Sequence, residues 1–116
     1  MSTPSDAETR EITPEETERA LADGSAVLID VREPYEVEAG RIPVAEPIPM
    51  DELQARAGEL PKDKTVIFQC RLGGRSAVAA EAFAGAGYDA RTMTGGIKRW
   101  DEEGRGLTEG GTVADH

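Results

Sequence analysis

The sequence is short of the residues on which several common kinds of site depend. It contains one cysteine, Cys70, and one histidine, His116, among 116 residues. A single cysteine excludes an internal disulfide, and a single histidine leaves too few soft ligands for a structural metal site. The same shortage argues against a cysteine–histidine hydrolase, because no other histidine can act as the base. We therefore expect neither a metal nor another cofactor.

Positive charge is also scarce. The chain has 13 lysine and arginine residues against 23 aspartate and glutamate residues, which gives a formal net charge of −10. Such an acidic balance argues against nucleic acid or an anionic membrane as a partner. No apolar run approaches bilayer length, and the first residues are polar and acidic. We expect no signal peptide, no spanning helix and a cytoplasmic location.

The chain length fits a single domain with one modest core. Residues 1–10 and 106–116 are polar and poor in core-forming residues, so we expect a disordered N-terminal segment and a flexible tail. The predicted domain covers residues 11–105.

Short apolar runs at 26–31 and 64–69 are typical of strands buried on both faces of a parallel sheet. Weaker strands are predicted at 45–48 and 89–93. Between them, capping residues, prolines and glycines predict helices. This alternation predicts a three-layer α/β domain, with a mostly parallel central sheet flanked by helices. The predicted helices cover residues 14–22, 34–40, 51–60, 76–86 and 97–103.

Cys70 directly follows one of the buried strands, at the sheet edge where open α/β folds usually bind ligands. A free cysteine is often only a small buried hydrophobe. A reactive thiolate, in contrast, needs nearby positive charge or helix N-terminal amides. Arg71 and Arg75 are the only charged side chains over residues 70–80, and Gly73 and Gly74 allow backbone amides to form an anion-binding nest. The candidate site is the nucleophile Cys70 with the substrate-binding residues Arg71, Leu72, Gly73, Gly74, Arg75 and Ser76.

Two chemistries suit a cysteine in an anion cradle: phosphoryl transfer and the transfer of sulfane sulfur. Cysteine phosphatases need an arginine six positions after the cysteine. Here that position holds Ser76, and the arginine is one residue earlier, at Arg75. The loop is thus one residue short for a phosphate, which disfavours a phosphatase or arsenate reductase. A smaller cradle fits the terminal sulfur of a persulfide.

At this point the sequence resembles the single-domain rhodaneses, a thiosulfate sulfurtransferase-like family with a rhodanese-like α/β fold. The resemblance covers residues 12–104. It rests on four blocks in the family's order, at 28–33, 39–45 and 70–76 and, near the end, Gly87-Tyr88 followed by Gly95-Gly96-Ile97 and Trp100. Relatives commonly have histidine and a second glycine where this chain has Arg41 and Val44. We expect that departure to alter the local backbone rather than the chemistry.

The resemblance implies that Cys70 takes sulfur from a donor such as thiosulfate, holds it as a persulfide and passes it to cyanide or a thiol. Arg71 and Arg75 favour a small anionic donor, and thiosulfate in particular. Asp30 and Arg32 end the neighbouring strand and are expected to form an ion pair, with either a structural or a functional role. Whether these two residues and Arg41 contribute to the site stays open.

The single cysteine also affects the mechanism that the resemblance implies. No internal thiol can resolve a Cys70 persulfide into a disulfide, so the acceptor must come from outside. An alternative function is a persulfide carrier or binding module that receives sulfur from a partner in a sulfur relay, such as a cysteine desulfurase. Such a carrier would show little turnover of its own.

Overall fold

The computed structural model describes residues 10–107. Its centre is a five-stranded sheet in the order β1-β5-β4-β2-β3, and every neighbouring pair of strands is parallel. The strands are β1 (Glu11–Ile12), β2 (Ala26–Asp30), β3 (Glu46–Pro47), β4 (Thr65–Gln69) and β5 (Asp89–Met93). The helices are α1 (Pro14–Ala22), α2 (Pro34–Ala39), α3 (Gly74–Gly85) and α4 (Gly96–Glu102).

Apolar side chains cover both faces of this sheet, which explains why β2 and β4 are continuous hydrophobic runs. On one face, Phe68 of β4 packs in a cluster with Ala79 and Phe83 of α3. On the other face, Ile67 packs in a second cluster with Trp100 of α4 and partly buried residues of α1. Helices therefore lie on both sides of a parallel sheet, and the predicted three-layer α/β fold is confirmed.

Local sequence signals account for the two N-terminal helices. At the start of α1 the Thr13 hydroxyl accepts a hydrogen bond from the Glu16 amide, and the Glu16 carboxylate accepts one from the Thr13 amide. This reciprocal pair is a capping box. Pro34 occupies the first turn of α2, and the helix ends at Gly40, whose φ of 154° lies in the region that glycine tolerates best.

The predicted helix over 51–60 is wrong. This segment forms two short 3₁₀ helices, Met50–Glu52 and Ala57–Glu59. Gly58 weakens a helix here, and Pro61 requires Leu60 to be extended, as its ψ of 138° shows. Two separate turns still bury the side chains of Leu53 and Leu60.

Smaller differences lie at the ends of elements. The two-residue strand β1 was not predicted, and α3 and α4 begin at Gly74 and Gly96, slightly earlier than the sequence pattern indicates.

The carbonyl of Arg10 accepts a hydrogen bond from the Thr92 amide, and that of Gly106 accepts one from the Trp100 indole. Both residues fall within the predicted terminal segments, yet they contact the domain. Most of those segments, residues 1–9 and 108–116, lies outside the described residues.

Parallel strands bring the ends of β2 and β4 to the same edge of the sheet. Asp30, the last residue of β2, is in register with Gln69, the last residue of β4. The loops that follow these strands therefore start side by side, and one of them begins with Cys70. Across residues 10–107, no helix is both long and apolar enough to span a membrane.

Candidate active site

Cys70 lies at the bottom of a short loop between β4 and α3. Its side chain is 1% exposed, but apolar packing is not its whole environment. The sulfur accepts hydrogen bonds from the amide of Gly73, at 3.1 Å, and from the amide of Ser76, at 3.4 Å. Gly73 has a φ of 117°, a left-handed conformation that turns its amide back toward the sulfur. Two amides, from the loop and from the first turn of α3, thus converge on the sulfur, and the binding of an anion by this nest stays a prediction.

This environment makes the thiol more acidic than a free cysteine. Burial alone would raise the pKa of Cys70, because it disfavours the thiolate. Hydrogen bonds from the Ser76 hydroxyl and from the amides of Ser76, Gly73 and Arg75 outweigh burial and hold the pKa below its ordinary value. Amide dipoles and one hydroxyl, rather than a histidine base, thus favour the thiolate.

Ser76 connects the cysteine to the neighbouring strand β5. Its hydroxyl is fully buried and lies 3.5 Å from the sulfur of Cys70. The same oxygen lies 2.7 Å from the hydroxyl of Thr92 and can donate to the Gly73 carbonyl at 3.1 Å. Ser76 is therefore more than a helix cap, since its hydroxyl contacts the sulfur of Cys70.

The first turn of α4 fixes the other side of the cysteine loop. The amides of Ile97 and Lys98 donate to the carbonyls of Cys70 and Arg71, at 2.8 and 3.1 Å. The carbonyls of the loop thus accept hydrogen bonds from α4, and the amides of Gly73 and Ser76 donate to the sulfur. Gly96 makes this close approach possible, because a Cβ atom there would lie 2.4 Å from both carbonyl oxygens.

The two arginines of the loop have different environments, which the sequence did not indicate. Arg75 donates two hydrogen bonds to the carboxylate of Glu36 on α2, from Nη1 at 2.7 Å and from Nη2 at 3.0 Å. This contact raises the pKa of Arg75 and lowers the pKa of Glu36, so both stay charged at neutral pH. Arg71 has no side-chain hydrogen bond or salt bridge to any of residues 10–107, and it is half-buried. Of the two loop arginines predicted to bind the donor, Arg75 is thus already paired with a carboxylate of the protein.

The remaining loop residues lie at the surface. Leu72 is 60% exposed, and Gly74 is the exposed first residue of α3. Neither residue is in hydrogen-bond contact with the sulfur. Gly74 lets α3 begin directly after the loop, and Leu72 presents an apolar side chain to solvent beside the site.

Asp30 and Arg32 form the expected ion pair, and it is buried, with Arg32 Nη2 2.7 Å from Asp30 Oδ2. The guanidinium also donates to the carbonyls of Glu36, at 3.3 Å, and Gly40, at 2.9 Å. The pair thus ties helix α2 to the end of β2, and α2 carries Glu36. Its contact with the site is indirect, through that helix.

Arg41 donates to the carbonyl of Ala45 at 3.2 Å and supports the following turn.

Sequence reasoning missed Glu36, Thr92 and Gly96 as parts of this arrangement. Glu36 is 39 residues from Arg75, and Thr92 is 16 residues from Ser76. No local spacing connects residues so far apart. Only Gly96 left a signal, as part of the Gly95-Gly96 pair that marks the last block of the family resemblance.

Comparison with known proteins points to one family. The sequence model of the protein family described as the rhodanese-like domain matches residues 13–103, which is most of the chain. The chain belongs to the rhodanese-like family. A sulfurtransferase of Allochromatium vinosum is 38% identical over 96 residues, covering 81% of this chain and 90% of that protein. A putative sulfurtransferase of Bacillus subtilis is 37% identical, covering 74% of this chain and 84% of the relative.

Solved structures show the same fold. A rhodanese-related protein from Thermoplasma volcanium superimposes with a TM-score of 0.79 at 32% identity, covering 85% of this chain and 97% of that one. The Bacillus anthracis protein CoADR-RHD, in its reduced form, matches with a TM-score of 0.73 at 39% identity. That match covers 78% of this rhodanese-like chain but 16% of the larger protein.

Proposed function

We propose that this rhodanese-like protein is a sulfurtransferase that moves sulfane sulfur through a persulfide on Cys70. The observation that carries the proposal is the cradle around the sulfur, where two amides and the Ser76 hydroxyl converge on one buried thiol. The same donors suit a persulfide, which is also anionic at neutral pH. Relatives that are named sulfurtransferases support this choice of chemistry.

In the loading step the thiolate of Cys70 attacks the outer sulfur of the donor. With thiosulfate, a bond forms between Cys70 Sγ and that sulfur. The sulfur–sulfur bond of thiosulfate breaks, and sulfite leaves with the electron pair. Arg71 attracts the anionic donor, and amides from Arg71 to Ser76 hold the negative charge that remains on the terminal sulfur.

In the second step an external nucleophile attacks the terminal sulfur of the persulfide. Cyanide gives thiocyanate and a thiol gives a new persulfide, and in both cases Cys70 leaves as the thiolate. The chain has no other cysteine, so the acceptor is a separate molecule. A free thiol with this role suits a reducing compartment, and we place the protein in the cytoplasm.

A persulfide carrier is the second candidate function. The exposed side chain of Leu72, two residues from Cys70, is the observation that favours it. An apolar side chain beside the reactive loop suits contact with a donor or acceptor protein. In this role the protein receives sulfur from a partner in a relay and turns over slowly with small molecules.

Steady-state turnover tests the proposal and separates the two candidates. The purified protein is assayed for thiocyanate formation from thiosulfate and cyanide, with Cys70→Ser as the control. A sulfurtransferase turns over repeatedly, and the serine variant is inactive. Slow turnover combined with fast sulfur uptake from a persulfidated cysteine desulfurase favours the carrier. The absence of both activities contradicts the proposal.

A further inference from the structure

The carboxylate of Glu36 binds Arg75, one of the two loop arginines that are expected to bind the donor anion. Arg75 belongs to the cysteine loop, and its Nη1 and Nη2 atoms face the two oxygens of Glu36 at 2.7 and 3.0 Å. Arginine binds carboxylates and other oxyanions through this same paired geometry. The terminal nitrogens of Arg75 are thus occupied by a group of the protein itself.

Several contacts hold Glu36 in this position. Its Oε1 atom also accepts a hydrogen bond from the amide of Glu33, at 3.0 Å, and its backbone carbonyl accepts one from the buried Arg32. The side chain of Glu36 is 15% exposed and that of Arg75 is 38% exposed, so solvent screens the carboxylate side of this contact less than the guanidinium side. These contacts hold Glu36 in the position from which it binds Arg75.

This contact changes the charge that an incoming donor meets. The cysteine loop carries two cations, Arg71 and Arg75, and the carboxylate of Glu36 is bound to the second of them. The net charge of the three side chains is +1, and the thiolate of Cys70 cancels it. A site with no net charge does not attract a donor of charge −2 more strongly than a donor of charge −1. Without Glu36 the site would be positive.

We propose that Glu36 is a specificity-determining residue that selects against dianionic sulfur donors in favour of donors with one negative charge or none. The proposal rests on the proposed function and narrows its donor class. It also weakens the preference for thiosulfate that two free arginines would give. The preferred donors would be organic persulfides and thiosulfonates, whose charge next to the transferred sulfur is at most −1.

The first experiment compares two donors that deliver sulfur from the same type of bond but differ in charge. Thiosulfate has a charge of −2, and benzenethiosulfonate has a charge of −1. The rate constant for sulfur loading of Cys70 is measured for the wild type and for Glu36→Gln. The amide of glutamine keeps an acceptor for Glu33 and removes the charge. The matched control, Glu38→Gln, removes an equal charge from an exposed position on the same helix.

The expected result is an increase of about fivefold in the ratio of thiosulfate loading to thiosulfonate loading in Glu36→Gln, because one unit charge acts on one extra unit of donor charge at short range. Glu38→Gln should leave the ratio within about twofold, since exposed charges are screened. An unchanged ratio in Glu36→Gln overturns the proposal. Loading that slows by the same factor for both donors is one form of that result, and it would show that Glu36 only positions Arg75.

A second readout does not depend on sulfur transfer. Iodoacetate and iodoacetamide alkylate the same thiolate and differ by one negative charge on the reagent. Glu36→Gln should raise the ratio of the iodoacetate rate to the iodoacetamide rate at Cys70 several-fold, and Glu38→Gln should not. A raised ratio in a protein that takes no sulfur from either donor would contradict the proposed function but not the electrostatic role of Glu36. An unchanged ratio contradicts that role directly.

Discussion

The hydroxyl of Thr92 lies 2.7 Å from the hydroxyl of Ser76, which in turn lies 3.5 Å from the sulfur of Cys70. When Cys70 is a thiol, it can donate to Ser76, and Ser76 donates to the carbonyl of Gly73. When Cys70 is a thiolate, Ser76 can turn its proton to the sulfur while Thr92 donates to Ser76. The pair of hydroxyls can thus follow the charge on the sulfur.

Replacement of Ser76 by alanine should make Cys70 less reactive at neutral pH. The variant loses one hydrogen bond to the thiolate, a kind of bond worth about 1.5 kcal/mol. At pH 7 the alkylation rate should fall roughly tenfold, and the pH profile of the rate should move to higher pH, because the pKa of Cys70 rises. The measurement is the iodoacetamide rate between pH 5 and 10. A profile that moves to lower pH would contradict the assignment of Ser76.

Replacement of Thr92 by valine should have a smaller effect in the same direction. Valine keeps the shape of threonine but cannot donate to Ser76, which then has less support for donating to the sulfur. We expect a fall of about threefold in the alkylation rate at pH 7. Thr92→Ser keeps the hydroxyl and serves as the control. Equal rates for the serine and valine variants would show that Thr92 acts only through packing.

Replacement of Gly96 by alanine should destabilise the cysteine loop. A Cβ atom at this position would lie 2.4 Å from the carbonyl oxygens of Cys70 and Arg71, and the residue has a φ of +63°. We expect the free energy of unfolding to fall by about 3 kcal/mol, from backbone strain together with steric overlap. The measurement is urea unfolding at equilibrium.

Gly104→Ala is the matched control for this experiment. Gly104 has a similar φ of +74°, but nothing lies within 4 Å of the position that a Cβ atom would take there. Its replacement should cost only about 1 kcal/mol of backbone strain. If both variants lose the same stability, the close approach of α4 to the cysteine loop is not a tight constraint.

Replacement of Asp30 by asparagine should destabilise the whole domain. The variant leaves the guanidinium of Arg32 buried without its carboxylate partner, a change that costs about 3 kcal/mol or more. Glu102→Gln breaks an exposed ion pair with Lys98, 2.7 Å long, and should cost less than about 1 kcal/mol. The comparison uses urea unfolding of both variants. An Asp30 variant as stable as the Glu102 variant would contradict the anchoring role of the buried pair.

The parts of the fold that the sequence predicts are those set by local pattern. Strands β2 and β4 are continuous apolar runs, and α1 has a capping box and a proline in its first turn. Strand β1 is only two residues long, too short for a periodic pattern, and it exists through pairing with β5. The segment over 51–60 has helix-forming residues, but Gly58 and Pro61 limit it to separate turns.

The same distinction between local pattern and tertiary contact applies to the candidate site. The cysteine, the glycines and the arginines are contiguous in the sequence, so the loop could be identified from its composition. The partners of that loop come from α2, β5 and α4, which the fold brings to one sheet edge. A spacing of 39 residues between Glu36 and Arg75 has no sequence signature. For this reason the charge of the loop was predicted, and its partial neutralisation was not.

The most direct test of the central claim is the mass of the protein after incubation with a sulfur donor and removal of the excess. We predict that the intact protein gains the mass of one sulfur atom, that fragmentation places the added sulfur on Cys70, and that cyanide removes it. Cys70→Ser should gain nothing. A wild-type protein that stays at its original mass with both thiosulfate and benzenethiosulfonate, or that gains sulfur equally in Cys70→Ser, would contradict a Cys70 persulfide.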